Sequence, residues 1–239
     1  MALGINPEKT IAWIGDFPLI HFFTTRKFGN VAQKYGTLEA AKLEGEIQKA
    51  VGSEVYSRIH LIPYGDKIWF DDIGKSFKYL QRFGQGVILK RSSDFIHVIT
   101  LYVGDCYPIL ITDAKYTIMG ILHGGYKQLK HRIVKKAIQL IQTKFKIELS
   151  SIILGIGPGI KECCYRTKLL RKANLLQMIL DQAQESGVKQ IFVAGVCTYC
   201  TKLEGEEDYL FFSHQRARRQ REPEGRFAAV LTSRLIGSG

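Results

Sequence analysis

The sequence predicts a mixed α/β fold, α+β in layout, with β-sheets flanked by helices. Three observations lead there. Apolar, β-branched runs of strand length recur along the chain, bounded by glycine, proline and polar residues. Tyr126 to Phe145 instead spaces its apolar residues as a helix does, at Leu129, Ile133, Val134, Ala137, Ile138 and Ile141. Strands and helices alternate around a central hairpin, so the sheet is at least partly antiparallel. Nothing resembling a linker divides the chain, and residues 1–239 are expected to form one domain.

The elements follow in order. Ile11 to Thr25 reads as one or two strands broken at Pro18. Leu38 to Val51, rich in Ala, Glu, Lys and Leu, reads as a helix weakened by Gly45. Val55 to Leu61 is a strand carrying His60 near its end, and Phe95 to Val103 is another. Pro108–Thr112 and Tyr116–Leu122 form the hairpin. Ile152–Ile156 is a short strand closed by Gly157-Pro158-Gly159. Leu169 to Ser186 is a helix stopped by Gly187. Ile191–Val196 and Phe227–Leu231 are the last strands.

A chain of 239 residues is long enough to bury a real core. Its longest apolar runs, such as Phe17–Ile20 and Ile118–Leu122, are far too short to span a bilayer. The N-terminal MALGINPEKT lacks the basic and apolar segments of a secretory leader. Five cysteines, two of them adjacent, do not suggest a disulfide framework, and a reducing cytoplasm is the expected location. The formal charge of +12 favours anionic partners such as phosphate or nucleotides. Basic residues concentrate in Lys127–Lys136 and Arg216–Arg226. The second run lacks interleaved aromatic residues, so nucleic acid is not the expected partner. It reads as a mobile basic loop.

Candidate chemistry centres on His60, Cys106 and His123, each at or near a strand end. Thiolate and imidazole suit zinc, and three protein ligands leave a fourth position open for water or substrate. With a two-residue turn at Ala114-Lys115, Asp113 faces Tyr116 and Cys106 faces His123 on one side of the hairpin. Gly124-Gly125 then opens the following helix, either as a tight strand-to-helix turn alone or as an anion site built of backbone N–H groups with Lys127 as the charge. Cys163-Cys164 and Cys197-x-x-Cys200 offer four thiolates for a structural zinc, although their spacing is not that of a zinc ribbon and separate thiols are the simpler reading. His97 and His21 read as core histidines.

Five stretches occur in a telling order: GDCYPILITD, ILHGGYK, GIGPGIKECCY, CTYC, and FFSHQR with GRFAAVL. Together they resemble the YfiH-type family, long labelled polyphenol oxidoreductases or laccase-like proteins and now understood as zinc-dependent purine nucleoside phosphorylases with adenosine deaminase activity. RIH at Arg58–His60 resembles the family's glutamine-valine-histidine, and FTTR at Phe23–Arg26 its threonine-arginine element. The resemblance implies a YfiH-like fold and zinc on His60, Cys106 and His123, with these three catalytic through the metal. It implies phosphorolysis of adenosine, inosine or methylthioadenosine, with deamination of adenosine as companion activity. Lys127, Arg26 and Arg216 become candidate phosphate holders. Copper is the older claim for the family, but the further copper sites of a laccase are not legible here. The partners would be a purine nucleoside and phosphate, with no membrane, and the chain a monomer or small homo-oligomer.

The sequence also departs from the pattern. Tyr126-Lys127 stands for tryptophan-arginine, and lysine lacks the bidentate fork of arginine. Gly86 stands for a usual aspartate, and Gln215 for a common arginine. Two rival readings remain: a metal-free hydrolase with Cys106 as nucleophile and His123 as its base, and a non-catalytic basic protein that binds nucleotides or nucleic acid.

Overall fold

The computed structural model describes residues 3–32, 38–52, 56–71, 79–92, 94–167 and 173–237. Its strands are β1 (Leu3–Ile5), β2 (Ile11–Ile14), β3 (Leu19–Thr24), β4 (Ser57–Asp71), β5 (Tyr79–Lys90), β6 (His97–Val103), β7 (Tyr107–Asp113), β8 (Ile118–Gly124), β9 (Ile152–Ile156), β10 (Gln190–Val193) and β11 (Phe227–Leu235). The helices are α1 (Leu38–Val51), α2 (Tyr126–Lys130), α3 (Ile133–Phe145), α4 (Leu175–Glu185) and α5 (His214–Gln220). All strands join one curled sheet in the order β1-β2-β3-β11-β6-β4-β5-β8-β7-β9-β10. The β4–β5, β4–β6 and β9–β10 pairs are parallel and the rest antiparallel. No described helix is long and apolar enough to cross a membrane.

Three apolar layers account for the alternation along the strands. The inner face of the sheet encloses Ile59, Leu61, Ile99, Leu101, Leu110, Met119 and Ile121. On the outer face of β3, β11 and β6, α1 buries Leu43, Ile47 and Val51 against Phe22, Val98 and Val230. On the outer face of β7, β8 and β9, α3 and α4 cover Ile109, Ile111, Ile118 and Leu154. Strand β7 is buried at every position because both its faces are covered, which explains its unbroken apolar run.

The helix expected over Tyr126–Phe145 is two helices, broken at Arg132, whose backbone turns left-handed at φ 58°. The apolar period survives the break, so the pattern alone did not reveal it. Gln182 on α4 bridges the gap. Its buried side chain donates to the Leu129 carbonyl (2.9 Å) and accepts from the Val134 N–H (3.2 Å). The expected basic loop at Arg216–Arg226 begins instead as α5, capped by the Ser213 hydroxyl accepting from the Arg216 N–H. Strand β11 runs on to Leu235, and the start of the helix expected at Leu169 lies outside the described residues.

The hairpin register also differs from the expected one. Pro108, not Cys106, pairs with His123, and Thr112 pairs with Met119. The loop therefore has four residues, Ala114 to Thr117. Asp113 holds it, accepting N–H groups of Thr117 (2.6 Å), Ile118 (3.0 Å) and Lys115 (3.3 Å) and the Thr117 hydroxyl (3.0 Å). Tyr116 takes the left-handed conformation that closes it. A shift of two residues preserves side-chain parity, so Cys106 and His123 keep one face as diagonal neighbours.

Gln182→Ala should strand a buried carbonyl and a buried N–H. The expected loss is about 2–4 kcal/mol of unfolding free energy, from the cost of unsatisfied buried groups. Urea denaturation of both proteins checks this, and an unchanged midpoint would mean that the break is stabilised by apolar packing alone.

Candidate active site

Cys106 and His123 converge on Gly125. A Cβ placed there would lie 3.3 Å from Cys106 Sγ and 3.2 Å from His123 Cε1, so those two atoms are within about 6.5 Å of each other. Any side chain at 125 would fill the space between them. This is the role of the second glycine, whereas a Cβ at Gly124 would press on the Tyr107 carbonyl at 2.8 Å. The helix that follows has only five residues, with Lys127 exposed in its first turn.

Gln85 sets the chemistry of His123. The Gln85 amide N–H donates to the Gly65 carbonyl (2.7 Å), which turns its oxygen towards His123 Nδ1 (2.7 Å). An amide oxygen only accepts, so Nδ1 carries the proton and Nε2 keeps its lone pair. Burial drives the His123 pKa down to about 4, which keeps the ring neutral near pH 7. Burial, with Asp105 adding to it, pushes the Cys106 thiol up to about 12, and Arg226 opposes the rise. The pair is thus thiol and neutral imidazole. An activated cysteine nucleophile needs the opposite environment, so the metal-free hydrolase reading is not favoured.

Asp105 fastens the turn before Cys106. Its buried carboxylate accepts the Thr198 hydroxyl (2.8 Å) and the Gln215 N–H (2.6 Å), and its carbonyl accepts the Ile160 N–H (2.9 Å). Its backbone sits at φ 91°, rare for a residue with a side chain. Gln85 and Asp105 were not singled out from the sequence. The residue that meets His123 is Gln85, while Gly86 packs its backbone under Leu122.

His60 does not join this pair. It pairs with Gln81 on β5 and Thr100 on β6, and its Nδ1 lies 3.0 Å from the Thr100 hydroxyl. Its ring packs on Tyr102, centroid to centroid 4.3 Å. Ile59 and Leu61 on either side point into the inner core, so His60 points outward to the α1 layer. His123 alternates the other way, with Leu122 outward and Ile121 inward. Gln81 also precedes Gln85 by four residues, roughly 13 Å along a strand. The segment of β4 that reaches the His123 network is Tyr64-Gly65, and no histidine stands there.

The expected phosphate holders are likewise redistributed. Arg216 is 1% exposed and engaged throughout. It donates to Glu222 (3.1 Å) and to the carbonyls of Thr198, Tyr199 and Phe211, and stacks on Tyr209 at 3.8 Å. It is a structural strut and cannot also grip a ligand. Arg26 shares the same Glu222 oxygen at 3.0 Å. Arg226 is the guanidinium whose charge reaches Cys106, and Glu224 pairs it at 2.6 Å while also meeting His214.

Among the described residues, the group of three or more metal-binding side chains with donor atoms within 4.8 Å of one another is Cys163, Cys164, Cys197 and Cys200.

Comparison with known proteins places the chain beside one class. Residues 92–172 match the family described as multi-copper polyphenol oxidoreductase laccase. The resemblance to YfiH-type proteins drawn from the motifs is borne out in both sequence and fold. The solved YfiH of Bacillus licheniformis superposes with a TM-score of 0.75 at 17% identity, over 96% of this chain and 98% of that one. YlmD from Geobacillus stearothermophilus gives 0.75 at 18%, over 96% and 97%. In sequence, a purine nucleoside phosphorylase of Clostridium acetobutylicum is 27% identical over 184 residues, 63% of this chain and 74% of its own length. The purine nucleoside phosphorylase YlmD of Geobacillus stearothermophilus is 29% identical over 166 residues, 57% of this chain and 56% of its own.

A buried neutral histidine also makes stability depend on pH. His21 Nε2 accepts the Ile14 N–H (2.9 Å) while Nδ1 meets the Leu19 carbonyl (2.7 Å), and burial lowers its pKa to about 4. Between about pH 6.5 and 4 the unfolded chain binds a proton that the native ring refuses. The stabilisation is therefore complete above pH 6.5 and is lost as pH falls towards 4, by up to about 3 kcal/mol. His21→Gln should flatten the fall in urea midpoint between pH 7 and pH 4.5. An equally steep profile in that variant would remove His21 as its source.

Proposed function

We propose that the protein is an enzyme of the purine nucleoside phosphorylase type, acting at the edge where Cys106 and His123 meet. The reaction would split adenosine, inosine or methylthioadenosine with phosphate into free base and a ribose 1-phosphate. The observation that supports this most is the convergence of Cys106 and His123 on Gly125, in a chain whose sequence relatives are named purine nucleoside phosphorylases.

The residues present fit only part of a zinc site. Cys106 and His123 are suitable soft donors, and Gly125 leaves space between them. The third expected donor, His60, faces the opposite layer, so no step is routed through a metal bound by His60, Cys106 and His123. The chain's own contribution is positioning. Gln85 holds His123 with Nε2 unprotonated, ready to accept a hydrogen bond from a sugar hydroxyl or from phosphate in its protonated form. Lys127 is the exposed cation in the first turn after this edge and the best placed of the three expected residues to meet phosphate. Deamination of adenosine, which requires an activated water, has less support from this geometry than phosphorolysis.

Chromatography of nucleoside, base and sugar phosphate, with and without phosphate, tests the reading. Base release should require phosphate. Lys127→Ala should slow it about 10- to 100-fold at fixed phosphate, the cost of one charge-assisted hydrogen bond. Conversion of adenosine to inosine, if present, should change little, because it uses no phosphate. Base release independent of phosphate would remove the phosphorylase reading.

A further inference from the structure

We propose that Cys163, Cys164, Cys197 and Cys200 form a tetrathiolate zinc site, separate from the Cys106–His123 edge. Cys163 Sγ lies 3.5 Å from Cys164 Sγ, 3.8 Å from Cys197 Sγ and 3.8 Å from Cys200 Sγ. All four sulfurs fall within 4.8 Å of one another. A tetrahedron of sulfurs about 2.3 Å from zinc has edges of about 3.8 Å. A disulfide needs about 2.05 Å, and the five cysteines are all free. The spacing of these sulfurs is that of ligands around one ion.

The fold explains how two distant pairs meet. Strands β9 and β10 are parallel neighbours, so the loops after them leave the same end of the sheet. Gly159 and Cys197 make a parallel bridge there, and the Thr198 N–H donates to the Gly159 carbonyl (3.2 Å). Cys163 and Cys164 sit in a turn closed by the Cys164 and Tyr165 N–H groups on the Lys161 carbonyl (3.0 and 2.9 Å). Cys197-Thr198-Tyr199-Cys200 is a second turn, in which Thr201 Oγ1 accepts the Cys197 N–H (3.1 Å). The Lys161 N–H points at Cys197 Sγ (3.4 Å), a contact that favours thiolate. Lys161 and Arg219 also bring positive charge, through contacts to the carbonyls of Gly195 and Cys164.

Binding would exchange protons for metal. One Zn²⁺ replaces the protons of four thiols, giving a zinc tetrathiolate of charge −2 and releasing four protons, with no change of oxidation state. The site would clamp the β9 loop to the β10 loop. Through Ile160 and Thr198 the same two loops hold Asp105, so the clamp would stiffen the turn that presents Cys106.

The test uses the full chain purified without chelator. Elemental analysis should find zinc in the wild type that persists in Cys106→Ala and His123→Ala. It should fall at least about tenfold in Cys197→Ser/Cys200→Ser. Because that pair includes a buried cysteine, Cys163→Ser/Cys200→Ser, both exposed, is measured beside it with circular dichroism as the check on folding. Cobalt added to the metal-free wild type should give the intense visible bands of a tetrahedral tetrathiolate, absent from both double variants. Zinc that follows Cys106 and His123 and ignores the four cysteines would overturn the proposal. So would thiols of the metal-free protein that react equally fast with and without added zinc, or two disulfides in the mass of the native protein. None of these readouts depends on nucleoside cleavage, so this proposal and the enzymatic one fail separately.

Discussion

A single buried carboxylate ties together the segments around Cys106. Asp105 takes a hydroxyl from the β10 loop, an N–H from the first turn of α5 and, through its backbone, an N–H from the β9 loop. A buried carboxylate without donors would cost several kcal/mol, so these partners are a condition of its burial. They also hold a backbone at φ 91° that few side chains tolerate. Removing any one partner would loosen the turn whose next residue is Cys106.

Charge is handled the same way elsewhere. A net +12 suggests an open basic surface, yet several of the prominent arginines are spent internally. Arg216 is surrounded by three carbonyls, a carboxylate and a tyrosine face, an arrangement a planar guanidinium can satisfy and a lysine cannot. Glu222 is shared between Arg216 and Arg26, and Glu224 between Arg226 and His214. The run Arg216–Arg226 is therefore paired in part with its own glutamates, while Arg216 docks α5 on the β10 loop through the Thr198 and Tyr199 carbonyls.

Much of this was legible in the sequence where local pattern and tertiary role agree. Helix α1 and strand β9 fall on the expected residues because their apolar positions face one layer or fill a doubly covered strand. The misreadings arose where a particular side-chain hydrogen bond, not the apolar pattern, decides. Asp113 reaches forward to lengthen the hairpin loop, and Gln182, from another helix, makes the break before α3 tolerable. His60 looked like a site residue because it lies near the end of the expected strand. Strand β4 in fact runs on to Asp71, so His60 lies near its start, and the turn-like Pro63-Tyr64-Gly65 concealed this. Gln85 could have been suspected from its place between two glycines in an apolar strand, a polar side chain that needs a buried partner.

The cysteine pairs were hardest to read for a related reason. Chelating motifs are recognised by short spacing, because a local turn brings the donors together. Here no single turn does so. The pairs are separated by α4 and meet only because β9 and β10 run side by side in the same direction. A right-handed crossover needs a helix between parallel strands, so a long spacer follows from the topology and is not evidence against a shared site. The same parallel pair aligns the Ile160 and Thr198 contacts to Asp105. Whatever fixes the spacing of these two loops therefore also fixes the geometry of the turn carrying Cys106, and the two groups of soft donors are mechanically linked without sharing a ligand.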